Sequence, residues 1–136
     1  MNINKNYTFR KINCDDYRRG YYLLLESKNL ENPGNIDYYK FKNFVDSLDD
    51  NKNIFVCTYN DRIIASILGM SEIKIYNNFS KIGYIKDFFI YDEFDDIDIF
   101  KNLLNLVINF LKNSNCNKIF IENNCIKYEC YDFKIK

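Results

Sequence analysis

Histidine and tryptophan are both missing from this 136-residue chain, and glycine and proline are scarce, with four and one. Without histidine no Ser-His-Asp or Cys-His nucleophilic site can be assembled, nor the zinc motif H-E-x-x-H or any other imidazole-dependent metal site. Any catalysis must run on carboxylates, Tyr, Lys, Cys or backbone groups. The scarcity of Pro and Gly argues against low-complexity disorder despite the many Asn residues, and predicts regular elements joined by short polar turns. Charge of one sign is not in excess either: 19 Lys and Arg balance 19 Asp and Glu. A chain of pI near 6.3 has no global field to draw it to nucleic acid or an anionic membrane, so any anion site must be local. No run reaches the roughly 18 apolar residues of a membrane span, and the N-terminus shows no secretory signal pattern. The five cysteines, Cys14, Cys57, Cys116, Cys125 and Cys130, form no C-x-x-C pair. They read as reduced thiols of a soluble, cytoplasmic protein.

What is present is a core. The chain is 47% hydrophobic and 18% aromatic, and at roughly 150 residues per domain it forms one domain, 1–136, with no repeat or linker dividing it. Residues 7–12 alternate as a half-buried strand does. Asp15 and Asp16 then read as the cap of a helix carrying Tyr17, Tyr21, Leu24 and Leu25, stopped by Pro33-Gly34. Asp37 caps a second helix with Phe41, Phe44, Val45 and Leu48 at i, i+3, i+4, i+7. Residues 54–59 and 62–70 read as strands joined by the turn Asn60-Asp61, and residues 82–91 as a third strand beyond Asn77-Asn78. Phe88 to Ile90 is apolar on both faces, the pattern of a central strand. The clearest helix carries Phe100, Leu103, Leu104, Val107, Ile108 and Leu111 in one stripe. A buried strand over 118–122, reached by a βαβ crossover, a short helix over 124–129 and a terminal strand over 131–135 complete a mixed α/β order. It predicts a mostly antiparallel central sheet with helices on both faces.

That order resembles the GCN5-related N-acetyltransferase superfamily, and within it the glucosamine-6-phosphate N-acetyltransferase family. Phe9-Arg10-Lys11-Ile12 through Asp16-Tyr17-Arg18-Arg19-Gly20-Tyr21 is similar to that family's opening R-P-L and D-x-x-R-G-F. Ile63-Ile64-Ala65-Ser66 to Gly83-Tyr84-Ile85-Lys86-Asp87 is similar to its I-V-A-T and G-x-V-E-D. Asn117-Lys118-Ile119-Phe120-Ile121-Glu122, with Asn124 and Tyr128, resembles Y-K-I-x-L-[DE] and N-V-x-F-Y.

The resemblance implies transfer of acetyl from acetyl-CoA to the amine of glucosamine 6-phosphate, with no metal. It implies that backbone N–H groups around Phe88, Phe89 and Ile90 polarise the thioester, with Lys101 and Asn124 also on the coenzyme. It implies that Tyr128 stabilises the departing thiolate, that Glu122 orients the amine, and that Asp87, Lys118 and Lys86 bind the sugar phosphate. A homodimer completed by the last strand is a further implication. On general grounds an amine that arrives neutral needs placement more than a strong base, which suits a histidine-free chain. Asp87, an acid inside an apolar strand, costs several kcal/mol if buried unpaired, so a partner or a purpose is expected for it.

One motif differs. Where the family carries R-x-x-G-x-G, this chain has Asp95-Asp96-Ile97-Asp98-Ile99-Phe100-Lys101. Carboxylates suit a helix N-terminus but repel a diphosphate from the same place. A second expectation therefore stands beside the first: a member that keeps the fold as a binding or interaction module and has lost acetyl-CoA. A third keeps acetyl transfer but gives it a cationic amine, such as a polyamine, as acceptor.

Overall fold

The computed structural model describes residues 6–28, 36–122 and 132–134. Strand β1 (Tyr7–Lys11) lies antiparallel to β2 (Lys52–Tyr59), Tyr7 opposite Tyr59 and Lys11 opposite Phe55. β2 turns through Asn60 and Asp61 into β3 (Arg62–Lys74). Both turn residues are left-handed, at φ 49° and 65°, a conformation that Asn and Asp tolerate and that a tight two-residue hairpin requires. β3 pairs antiparallel with β4 (Ser80–Ile90), β4 runs parallel to β5 (Lys118–Ile121), and β5 is antiparallel to β6 (Asp132–Lys134). The result is one six-stranded sheet in the order β1-β2-β3-β4-β5-β6.

Three helices cover it: α1 (Tyr21–Ser27), α2 (Tyr38–Asp46) and α3 (Ile97–Asn113). α3 is the crossover that parallel pairing of β4 with β5 demands. Its stripe of Leu103, Val107 and Leu111 meets Ile67, Ile85 and Ile119 on one face of the sheet, all six fully buried. On the other face Tyr21 and Leu24 of α1 and Phe41 of α2 meet Ile54, Val56 and Leu68. Each such side chain contributes roughly 1.5–3 kcal/mol by leaving water. Gly69 sets the spacing of α3, because a Cβ there would stand 2.7 Å from a Val107 methyl.

The first helix starts later than its sequence predicts. Asp15 and Asp16 belong to a 3-10 turn over Cys14–Asp16 capped by Asn13, and α1 begins only after Gly20, at φ 92°. The reason is the fully buried carboxylate of Asp16. It accepts from both terminal nitrogens of Arg10 at 2.8 and 2.9 Å, from Arg19 at 3.3 Å and from the Asn13 amide at 2.9 Å. A buried carboxylate this well bonded ties β1 to the entry of α1 and cannot also cap that helix. β3 and β4 are longer than their patterns predict, meeting as far out as Lys74 and Ser80. The helix expected over 124–129 lies outside the described residues, and the terminal strand is described as β6.

Candidate functional site

β4 is not a regular strand. Its register runs from Leu68–Lys86 to Ser66–Phe89, so three steps along β4 match two along β3. The extra residue is a bulge at Asp87, whose φ is 55°. Bulges of this kind begin with a left-handed residue, and they re-aim a side chain out of the pleat. Asp87 is half-buried there.

β5 ends at the same place. Their ladder ends at Ile85–Ile121 and is closed by the Glu122 amide donating to the Ile85 carbonyl at 3.0 Å. From Lys86 to Ile90, β4 is laddered among the described residues to β3 alone. The Tyr91 amide donates to Ile64 of β3 at 3.2 Å, so strand alternation directs the Ile90 amide away from β3, toward the side on which β5 pairs with β4. The end of this parallel ladder lies beside two carboxylates, Asp87 and Glu122.

Next to the bulge a cleft of about 570 Å³ opens on the α1/α2 face, within the range of small-molecule sites. Asp87, Phe89 and Ser66 line its sheet side; Tyr21 and Phe41 line its helix side, with Lys40 and Lys52 also contributing. The Tyr21 hydroxyl lies 3.3 Å from the Ser66 hydroxyl. Burial pushes the Tyr21 phenol up to about 12; the Ser66 hydrogen bond works against this, and the charges of Asp87 and Asp16 add to it. The phenol therefore stays neutral at physiological pH and offers a hydrogen bond without charge.

The sequence-predicted residues divide among several places. Asp87 and Phe89 face the cleft, and Glu122, half-buried, follows the end of β5. Phe88 turns to the other face, edge-on to Phe100 of α3 at 4.9 Å, and Ile90 is buried in the core there. Lys86 opposes Leu68 on β3. Lys118 begins β5 opposite Ile82, with its ammonium over the Phe120 ring at 4.9 Å, away from the cleft. Asn124 and Tyr128 lie outside the described residues.

Asp96 caps α3, its side chain accepting from the Asp98 amide at 2.8 Å and its carbonyl from Ile99 at 3.1 Å. The Asp98 and Ile99 amides, two of those an anion would need at this helix start, are already bonded to Asp96. Lys101 is exposed one turn further along. Among the described residues no group of three or more His, Cys, Asp or Glu is placed to hold a metal, and no helix is long and apolar enough to cross a membrane. Cys14, Cys57 and Cys116 are free thiols, and burial raises the pKa of Cys57 to about 12.

The sequence assigns Tyr21, Ser66, Lys40 and Lys52 no part in a site. They come from four elements, and only the packing of α1 and α2 on the sheet makes them neighbours of one cavity.

The model of the acetyltransferase (GNAT) family matches residues 9–133. No curated protein matches the chain. Among solved structures, the glucosamine-6-phosphate N-acetyltransferase of Arabidopsis thaliana is 24% identical, with a TM-score of 0.75 over 87% of this chain and 82% of its own. An acetyltransferase of Trypanosoma brucei is 14% identical, with a TM-score of 0.74 over 96% and 97%. A predicted acetyltransferase of Clostridium acetobutylicum, solved with acetyl-CoA, is 20% identical, with a TM-score of 0.63 over 85% and 80%. At these identities the three likenesses speak to the fold.

Proposed function

The chain belongs to the acetyltransferase (GNAT) family, and from that premise we propose that it moves acetyl from acetyl-CoA to the amine of an aminosugar phosphate, glucosamine 6-phosphate by preference. The observation that carries this reading is the coincidence, at one point of the sheet, of the end of the described β4–β5 ladder, the Asp87 bulge and the cleft. In this reading the thioester lies along the open edge of β4. The Ile90 amide is aimed at its carbonyl, so that charge developing on that oxygen meets a fixed donor. Asp87 and Glu122 hold the acceptor amine. The nitrogen attacks the thioester carbon, the C–S bond breaks, the amine loses a proton and coenzyme A leaves as its thiol. Tyr128 is the proposed donor to that sulfur.

Thiol release from acetyl-CoA in the presence of glucosamine 6-phosphate tests this directly. Wild type turns over, and Asp87→Asn lowers kcat/KM about a hundredfold, because a misplaced amine loses the near-attack geometry. Folded wild type that releases no thiol at saturating substrates overturns the assignment.

The Asp96 cap favours a second reading, a family member that keeps the fold as a binding module. A diphosphate arriving at α3 must compete with Asp96 for the Asp98 amide. Melting with coenzyme A separates the two, since a ligand at 100 times its Kd stabilises by about 2.7 kcal/mol. No shift favours the module.

A further inference from the structure

We propose that Lys40 and Lys52 form an anion subsite at the rim of the Asp87 cleft, selecting an acceptor that carries a phosphate at the opposite end from its amine. The inference rests on the reading of this cleft as the acceptor site, and it assigns the phosphate to residues other than Lys118 and Lys86.

Three observations carry it. Both lysines line the cavity that Asp87 lines, from two different elements, α2 and the first residue of β2. Neither makes an ion pair among the described residues, whereas Lys28, Lys42 and Lys74 are held by Asp92, Asp46 and Glu72. The Lys52 ammonium lies 5.4 Å from the centroid of the Phe44 ring, itself part of the lining. That contact places the charge without neutralising it. Aromatic surface from Phe41 and Phe89 lies in the same cavity. A cavity with two cations, one carboxylate and apolar wall complements a guest with an ammonium, a compact ring and a phosphate dianion, whose net charge of −1 opposes the cleft's +1. Lys118, with its ammonium over the Phe120 ring on β5, does not line this cavity.

Isothermal titration with glucose 6-phosphate, which has the phosphate and lacks the amine, reads the subsite apart from catalysis. Wild type binds it, and its affinity falls as ionic strength rises. The double variant Lys40→Gln/Lys52→Gln binds it at least about tenfold more weakly, while its affinity for glucosamine stays at the wild-type value. Lys40→Arg/Lys52→Arg retains binding. Wild type that fails to bind glucose 6-phosphate, salt-insensitive binding, an unaffected Gln variant, an Arg variant that loses binding, or equal losses for both sugars each overturns the subsite. The salt series needs no variant and so stands whether or not the substitutions fold. Acetyl transfer fails or succeeds independently: thiol release without phosphate preference keeps the transferase and removes the subsite, and lysine-dependent binding without thiol release does the reverse.

Discussion

Against α3 the sheet presents Ile67, Ile85 and Ile119 with no solvent exposure, and at Gly69 it presents no side chain at all, so the helix closes down until a Val107 methyl fills the space. Against α1 and α2 the same sheet begins in the same way, with Ile54, Val56 and Leu68, but then come Ser66 and Asp87, and a cleft stays open. The difference teaches where function can reside in a sheet covered on both sides. A close-packed face has no room for a guest, and a polar group placed there would pay for lost water. The second face tolerates polar groups because Ser66, buried, shares a hydrogen bond with Tyr21 and Asp87 is only half-buried at its bulge.

The comparison breaks most severely if the closed face is emptied. Leu103→Ala should cost about 2–5 kcal/mol of stability in urea unfolding, as buried leucines do when a cavity remains. Sugar binding by the molecules still folded should be unchanged; a loss of binding equal to the loss of fold would couple the two faces.

A smaller effect sharpens the open face. The folded chain holds the Tyr21 proton to about 12, while an unfolded tyrosine releases it near 10. A raised folded pKa means a contribution fully present below pH 10 and lost as pH rises through 12, about 2–3 kcal/mol in all. Cys57 on the closed face acts in the same sense from a lower starting pH. The reading is therefore the difference between wild type and Tyr21→Phe, followed by denaturant melts from pH 8 to 12. The variant should lose less stability across the upper part of that range, and parallel curves would show the phenol to be freely ionising.

The smallest effect lies at the edge between the faces. Asp96→Ala should cost about 1 kcal/mol through the lost cap, while releasing the Asp98 amide and removing a negative charge. If the acyl donor uses that helix start, calorimetric affinity for coenzyme A should rise severalfold as stability falls. Affinity that falls with stability would place the diphosphate elsewhere.

Much of this architecture was legible from local pattern. The α3 stripe, the Asn60-Asp61 turn and the Asp37 cap needed only periodicity and turn chemistry, because each is decided within a few residues. The start of α1 was not, because Asp16 looks like a cap until Arg10 and Arg19 are brought around it. In the site, Asp87 was conspicuous as an acid in an apolar run. Its left-handed bulge was invisible, since that depends on register with β3. Lys40 and Lys52 gave no signal, being ordinary helix and strand-end lysines until α2 packs on the sheet.

The amino-acid order by itself determined the elements, their approximate sequence, the exclusion of imidazole chemistry and the acidic start of α3. Tertiary structure alone decided that the described β4–β5 ladder ends where the bulge begins, that one face closes while the other stays open, and that two lysines share a cavity with Asp87. The physical reason is range: propensity, capping and alternation act over a few neighbouring residues, whereas a binding site is made where distant segments come together and leave a space unfilled.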